Sequence, residues 1–246
     1  MKNLLILFCL TMATTVLNAQ TTGQVASYNA NTADGGVSDA LYKYALGSIS
    51  DADNKTKGFD DSIEGSPYMS NNFSQTSIYY GDEKEGDLFY RYNAYNEEIE
   101  IKQQNLIDEP IRALGRDKKI KIMVNGKPMS FKTFIDKNGN TKNGYLTLIK
   151  DGEFKLYKRL NVTFKEAKKA PNSFVKGVPA RFTQFTEYYL EVDGGNRIDE
   201  LEMNNKKLIN LVTDDKQSAL KKYLKENKIK LKDESDIHQV INFLNS

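Results

Sequence analysis

The chain has 246 residues with 35 basic and 33 acidic side chains, and it contains one cysteine, one histidine and no tryptophan. A single cysteine excludes an internal disulfide, an iron–sulfur cluster and a zinc site built on several thiolates. A single histidine excludes a histidine-rich metal centre and leaves one imidazole base for any serine hydrolase.

The N-terminal stretch has the three parts of a secretory signal. Lys2 supplies a positive charge, residues 4–10 form a short apolar run, and small residues lead to Ala19. The run is too short to cross a bilayer, so it predicts a signal peptide over residues 1–19; a buried helix at a cytosolic N-terminus is the alternative. Because Cys9 lies in this run, the exported chain is expected to be free of cysteine, in the periplasm, at the outer-membrane surface or outside the cell.

Residues 20–66 are predicted to form a flexible polar leader. They are rich in Asn, Asp, Ser, Thr, Ala and Gly, and their few apolar residues keep no long period. Such a segment buries too little apolar surface to offset an ordering cost of roughly 1–2 kcal/mol per residue. Within it, the triplet Asp61-Ser62-Ile63 resembles the O-glycosylation sequence of some exported bacterial proteins, which makes Ser62 a candidate modification site.

Three hairpins are predicted between residues 67 and 165. Apolar and polar residues alternate over 88–92 and again over 98–102, with an asparagine-rich turn between them. The second hairpin turns at Asn125-Gly126, a pair that tolerates the positive φ angles of a type I′ turn. The third turns at Asp151-Gly152.

The strand after the third hairpin has two different faces. Its apolar row is broken only at Lys158 and consists of Phe154, Leu156, Leu160, Val162 and Phe164. The opposite row is predicted to face solvent and consists of Lys155, Tyr157, Arg159, Asn161, Thr163 and Lys165.

A basic loop over residues 166–179 separates this strand from a further one that ends near Val192, and residues 193–195 form the next turn. Counting hairpin arms gives about seven or eight strands with no crossover helix between them. The predicted fold class is therefore α+β and mostly antiparallel β, with a curved or sandwich-like sheet over residues 67–203.

Residues 204–246 change to a helical period and predict two or three short helices. The second is expected to begin after Thr213 and the third after Asp233, both suitable N-cap residues. Helices this short are marginal alone, so we expect them to pack on the β domain or on each other.

Charge is unevenly distributed along the chain. Residues 21–110 carry 6 basic and 16 acidic side chains, whereas residues 116–170 carry 15 basic and 5 acidic ones. The basic excess is compatible with a polyanionic partner such as anionic lipid headgroups, or with an acidic segment that faces it within the fold. Because the chain is expected to be exported, nucleic acid is not predicted as a partner.

Motifs that could carry chemistry are weak. His238 is interpreted as a surface residue of the third helix. Asp136, with Asn138 and Asn140, imitates the start of a calcium loop that lacks its glycine and glutamate, and a hairpin turn explains the same residues. Glu98 and Glu100 lie two apart on one predicted strand face, where solvated side chains are the expectation. No catalytic residue, metal ligand or cofactor is predicted.

The leading hypothesis is a non-enzymatic binding or interaction module that contacts a peptide, lipid, polymer or protein of the envelope. The candidate contact residues are aromatic and cationic positions on the sheet, namely Tyr90, Arg91, Tyr92, Tyr188 and Tyr189. The tyrosines also fit a simpler role in covering the sheet edge and the rim of the core. A carboxylate-based hydrolase and a purely structural envelope component are the alternatives.

Several segments resemble a group of exported bacterial envelope proteins. They are GSPY at residues 65–68, RYN at 91–93, EIEIK at 98–102 and the ending over 220–245. The resemblance implies a β-rich body with a short helical C-terminus, and it brings no activity or site residues with it.

Overall fold

The structure, a computed structural model, describes residues 63–170, 172, 174–192 and 197–246. The predicted signal peptide, the leader up to Ser62 and the turn at 193–195 lie outside the described residues. Within the described part of the chain, no helix is long and apolar enough to cross a membrane.

Ten strands form one sheet, and three helices follow it. The strands are β1 (Ser74–Tyr80), β2 (Glu83–Asn93), β3 (Glu98–Lys102), β4 (Arg112–Ala113), β5 (Ile120–Val124), β6 (Lys127–Ile135), β7 (Thr141–Lys150), β8 (Phe154–Lys165), β9 (Arg181–Val192) and β10 (Ile198–Leu201). The helices are α1 (Asn205–Leu211), α2 (Asp214–Glu226) and α3 (Glu234–Leu244).

The strand order is β10-β9-β8-β7-β6-β5-β1-β2-β3-β4, and all these neighbours pair antiparallel. The predicted α+β class with a mostly antiparallel sheet is confirmed, although ten strands exceed the seven or eight expected. The count was low because β4 has only two residues and β1 begins with polar residues that give no hydrophobic period.

The predicted hairpins are present. β2 pairs with β3 from Asn93 and Glu98 onward, and β7 pairs with β8 across the turn at Asp151-Gly152. Between β5 and β6, Asn125 has φ 51° and Gly126 has φ 74°. Two successive positive φ angles define the type I′ turn that matches the twist of the flanking strands.

The two longest strands, β8 and β9, pair over their whole length from Phe154 opposite Val192 to Lys165 opposite Arg181. At one end of this pair the three helices cover the apolar face. Leu156 and Leu190 pack there with helical residues such as Leu220 and Ile241, both fully buried. We name this assembly the helical core.

Side-chain hydrogen bonds fix the ends of the helices. Asn204 accepts bonds from the backbone N–H groups of the first turn of α1, and Asp233 accepts bonds from those of Ser235 and Asp236 at 2.9 and 3.1 Å. Asn245, just after α3, accepts a bond from the Phe154 N–H at 2.8 Å and donates one to the Phe154 carbonyl at 3.0 Å. The C-terminal helix is therefore attached directly to the start of β8.

At the other end of β8 and β9, the sheet curls over itself. Leu88, Tyr92 and Ile99 from β2 and β3 pack in one cluster with Val162 of β8 and Phe182 of β9, although several strands separate them in the sheet. The rings of Tyr92 and Tyr145 meet edge to face with centroids 5.7 Å apart. We name this assembly the sheet core.

The reverse face of β8 was predicted to be solvated over its whole length, which holds for the exposed Thr163 and Lys165 and is wrong for Tyr157 and Arg159. Tyr157 is buried there with Phe134, Tyr189 and Ile198, and the Arg159 side chain is only 10% exposed. The reason is topological: Asp199 of β10 pairs with Ile135 of β6, so that strands β6 to β10 close into a ring with this face inside. Because β6 and β10 are far apart in the sequence, their pairing produces no periodic pattern of apolar residues from which it could be predicted.

The turn between β6 and β7 holds an ionised carboxylate. Asp136 accepts hydrogen bonds from the Asn140 and Asn138 backbone N–H groups, both at 2.9 Å, and Lys142 lies 3.1 Å from its other oxygen. These contacts, led by the bond from Asn140, lower the Asp136 pKa from 3.8 to about 2. Since the turn itself occupies both carboxylate oxygens, the calcium interpretation gains no support.

We expect the Asp136 carboxyl to titrate with a midpoint near pH 2 in the folded protein, as followed by NMR of its side chain. A carboxyl whose folded pKa is depressed stabilises the fold above its unfolded pKa of 3.8, and this contribution is lost as the pH falls through about 2. Lys142→Met should raise the midpoint. A midpoint at or above 3.8 in the unaltered protein would contradict the described turn.

Candidate functional site

A polar stripe crosses the sheet between the helical core and the sheet core. On β8, the apolar row belongs to the helical core up to Leu156 and to the sheet core from Leu160 onward, and Lys158 stands between them. Lys158 pairs with Thr147 of β7, and Leu160 pairs with Thr186 of β9. The breaks in β7 and β8 are thus directly opposite each other, whereas the break in β9 is at the next residue pair along the same face.

The stripe is the floor of an open groove of about 430 Å³. Helix α3 forms one wall, and the β5–β6 turn with the segment before β1 forms the other. We name it the Lys158 groove; it is lined by Met69, Val124, Asn125, Lys127, Met129, Thr147, Ile149, Lys158, Arg159, Leu160, Thr186, Glu234 and His238.

Four polar side chains meet at the helical wall of the groove. Glu234 Oε2 accepts hydrogen bonds from Lys158 Nζ and from the Tyr188 hydroxyl, both at 2.7 Å. His238 Nε2 lies 3.6 Å from the other carboxylate oxygen of Glu234. Glu234 and His238 are four residues apart, so successive turns of α3 place both side chains on the groove side.

Electrostatics keep the Glu234 carboxylate charged. Partial burial acts to raise its pKa, but the bonds from Lys158 and Tyr188 outweigh burial and lower that pKa below its usual value. The same bond and the burial of the ring raise the pKa of the Tyr188 phenol, which therefore stays protonated and donates. The groove thus holds a fixed carboxylate and ammonium beside the apolar side chains of Met129 and Ile149.

The sequence identified Lys158 as a break in an apolar row but did not show what the break separates. A lysine in the middle of an apolar row was visible as the only break in β8, and the break marks the place where the two cores separate. His238 was interpreted as a surface residue; its side chain is 39% exposed and it lines the groove. The contacts of Lys158 with Thr147 on β7 and with Glu234 on α3 could not be predicted from residue spacing.

A buried ion cluster lies on the reverse face, centred on Arg159. Its guanidinium bonds Glu97 from the β2–β3 turn and lies 2.6 Å from Glu187 Oε2 of β9. Glu97 also accepts the Tyr92 hydroxyl at 2.6 Å and the Tyr145 N–H at 3.1 Å. A Cβ at Gly144 would lie 2.8 Å from a Glu97 oxygen, so the glycine makes room for this carboxylate.

The tyrosines chosen from the sequence do not share one surface. Tyr92 and Tyr189 are almost fully buried, on opposite sides of the sheet and in different cores. Tyr188 is buried in the helical core with its hydroxyl at the groove, and Tyr90 is half-buried against the sheet core. Only Tyr188 approaches the Lys158 groove.

Arg91 of β2, the remaining candidate, is bonded to the neighbouring strand β3. Its guanidinium bonds Glu100 Oε2 of β3 from two nitrogens at 2.9 and 2.5 Å, and it lies over the rings of Tyr68 and Phe73. The segment before β1 thus covers this face, which explains why Glu98 and Glu100 are buried rather than solvated as predicted. Glu100 is committed to Arg91 and is not free to act as a catalytic carboxylate.

A second open groove of about 490 Å³ bears on the hydrolase alternative, since it places Glu187 of β9 near Glu200 of β10. Burial, followed by the charge of Glu187, raises the Glu200 pKa. Glu187, however, already accepts bonds from Arg159, Asn161 and Tyr189. The other two carboxylates that line this groove are also bonded, because Glu200 accepts the Lys137 backbone N–H and Glu202 pairs with Lys207.

In comparisons with known proteins, neither a protein family, nor a curated protein, nor a solved structure matches the chain.

Proposed function

We propose that the protein is an exported, non-enzymatic binding module of the cell envelope and that the Lys158 groove binds a short peptide segment. The signal-like N-terminus and the resemblance to exported envelope proteins support the location. The observation that carries the binding site is the polar stripe: Thr147 of β7, Lys158 of β8 and Thr186 of β9 interrupt the apolar rows of three adjacent strands under an open groove, with Thr186 offset to the next residue pair along the same face.

The chemistry of the groove favours a peptide that carries a carboxylate next to apolar side chains. Lys127 supplies a cation at the rim, and Lys158 at the floor has three N–H donors, of which the bond to Glu234 uses one. Met129 and Ile149 supply apolar contact area. Thr147 and Thr186 add hydroxyls that both donate to and accept from a peptide backbone. A few convergent polar groups on a mainly apolar lining are typical of ligand sites.

Catalysis is less well supported than binding in this groove. Glu234 is the only carboxylate among its lining residues, and it accepts bonds from Lys158 and Tyr188. General acid and base chemistry on a glycoside needs two carboxylates of different protonation state. The geometry therefore supports recognition of a ligand and provides no second acidic group to act on it.

We expect Lys158→Met to weaken peptide binding about tenfold or more, because a hydrogen bond between ions contributes roughly 1.5–3 kcal/mol and 1.4 kcal/mol is a factor of ten. The measurement is retention of the full chain on an array of short random synthetic peptides. The retained peptides should be enriched in Asp or Glu beside aliphatic or aromatic residues.

Lys155→Met is the matched control, since Lys155 lies on the same strand but pairs with Glu191 on the reverse face. It should leave retention unchanged. Equal losses for both variants, or retained peptides without acidic residues, would contradict the proposed site.

A further inference from the structure

The connection between β8 and β9, residues 166–180, is long, and its described residues, 166–170, 172 and 174–180, carry almost no regular structure. Among the described residues of this connection, the one ladder contact is a pair of reciprocal backbone hydrogen bonds between Lys168 and Val178, both 2.8 Å long. Connections of this length in compact domains are usually functional. We name residues 166–180 the β8–β9 loop.

Rigid packing supports the base of the loop. Tyr95 of the β2–β3 turn packs edge to face on Phe164 and Phe182, which are the last apolar residue of β8 and the first of β9. Backbone bonds from Glu64 to Ala180 and from Phe182 to Glu64 add a further attachment, at 3.0 and 2.8 Å. The tip beyond Lys168 and Val178 is therefore presented by a fixed base.

The tip exposes large apolar side chains. Phe174 is 95% exposed, and Val175 and Val178 are about half exposed. The backbone N–H of Phe174 donates to the Asn172 side chain at 3.0 Å, which turns the chain at this point. Exposing an aromatic ring to water is unfavourable, and a ring at a loop tip gains from insertion into an apolar phase.

Basic residues flank this apolar tip in the sequence. The sequence from Lys165 to Arg181 contains five basic residues and one acidic residue, Glu166. No ion pair between described residues involves any of these five cations. An apolar tip within a cationic collar is complementary to a surface that is anionic outside and apolar beneath.

We propose that the β8–β9 loop anchors the protein to anionic lipid membranes, with Phe174 and Val175 inserted between the headgroups and Lys168, Lys169 and Lys176 contacting the phosphates. This surface is separate from the Lys158 groove and does not depend on the function proposed for it. A protein partner that covers the apolar tip alone would leave the cations of the collar without a counter-charge.

The absence of tryptophan from the chain gives a local test. Phe174→Trp introduces a single fluorophore at the tip, and vesicles of phosphatidylglycerol mixed with phosphatidylcholine should shift its emission to shorter wavelength. Lipids with brominated acyl chains should quench it. Because the readout is local, attachment of the full chain through any other segment leaves this tryptophan in water.

Ile107→Trp is the matched control, since Ile107 is 97% exposed in the loop between β3 and β4, next to Asp108 and Glu109. Its emission should not respond to the same vesicles. The proposal is overturned if neither tryptophan shifts, if both shift alike, or if pure phosphatidylcholine vesicles shift Phe174→Trp equally.

The collar is tested in the Phe174→Trp background. Adding Lys168→Gln and Lys169→Gln should lower partition into the anionic vesicles about 25-fold, because each lysine near such a surface contributes about a factor of five. Lys221→Gln with Lys225→Gln removes the same charge from helix α2 and should change little. Equal losses for the two pairs would show a response to net charge alone and would refute the assignment to the loop.

Discussion

Replacing Arg159 with leucine is expected to lower the free energy of unfolding by about 3–5 kcal/mol, the cost of removing one partner from a buried ion pair. The Arg159 side chain is 10% exposed and bonds two carboxylates, Glu97 and Glu187. Without the guanidinium, both carboxylates remain in a largely dry environment with no cation to balance them. Chemical denaturation of the full chain, followed by circular dichroism, measures the change.

The effect should be large because Arg159 joins parts of the sheet that are distant in sequence. Glu97 lies in the β2–β3 turn, whereas Glu187 lies on β9, and β8 carries Arg159 between them. The guanidinium also lies 5.3 Å from the centroid of the Phe134 aromatic ring. Phe134 belongs to β6, in the part of the sheet that closes on itself. Loss of this residue therefore weakens both the curl of the sheet and the core on its reverse face.

Arg197→Leu is the control for this prediction. Arg197 also forms a bidentate pair, with Asp199, but its side chain is 60% exposed. Exposed ion pairs contribute about 0–1 kcal/mol, so this variant should remain close to the unaltered protein. Similar stabilities for the two variants would mean that the Arg159 cluster is solvated, contrary to the structure.

Replacing Ile241 with alanine should lower the free energy of unfolding by about 2–5 kcal/mol, the usual cost of truncating a buried aliphatic side chain and leaving a cavity. Ile241 is fully buried in the helical core, where α3 packs on β8 and β9. The same helix carries Glu234 and His238, so its loosening should also weaken peptide retention by the Lys158 groove.

Gln239→Ala is the control on the same helix. Gln239 is exposed, and an exposed helical substitution of this kind usually changes stability by less than about 0.5 kcal/mol. Urea denaturation distinguishes the two variants. A small effect of Ile241→Ala would show that α3 is not packed on the sheet as described.

The sequence was sufficient where the pattern is local. Alternation gave the arms of the hairpins, Asn125-Gly126 gave the type I′ turn, and Asp233 gave the start of α3. Each of these features depends on residues a few positions apart, for which backbone preference and side-chain direction are sufficient guides. The antiparallel class followed from them.

The sequence was insufficient where distant strands meet. The closure of β10 on β6 buries Tyr157 and Arg159 on a face whose residue pattern is polar. The same limitation applied to the candidate site: Lys158 was recognisable as a break, but Glu234 lies 76 residues away and reaches it only after the helices pack. Tyrosines that suggested a binding surface are instead largely occupied in the cores.

The polar stripe interrupts the packing between the two cores, and this loss of apolar packing is informative about function. An apolar residue at position 158 would join the helical core to the sheet core along β8, whereas lysine leaves the two separate. Removing Lys158 would still leave Glu234 partly exposed, bonded to the Tyr188 hydroxyl and located in the first turn of α3, where negative charge is favoured. We therefore predict that Lys158 is dispensable for the fold, and under the proposed function ligand binding accounts for its presence.

The unfolding free energy of Lys158→Met, measured beside its peptide retention, tests this claim most directly. We predict stability within about 1 kcal/mol of the unaltered protein, or above it, together with the loss of peptide binding. A variant that is destabilised by several kcal/mol yet retains the same peptides would show that Lys158 serves the fold and not a ligand.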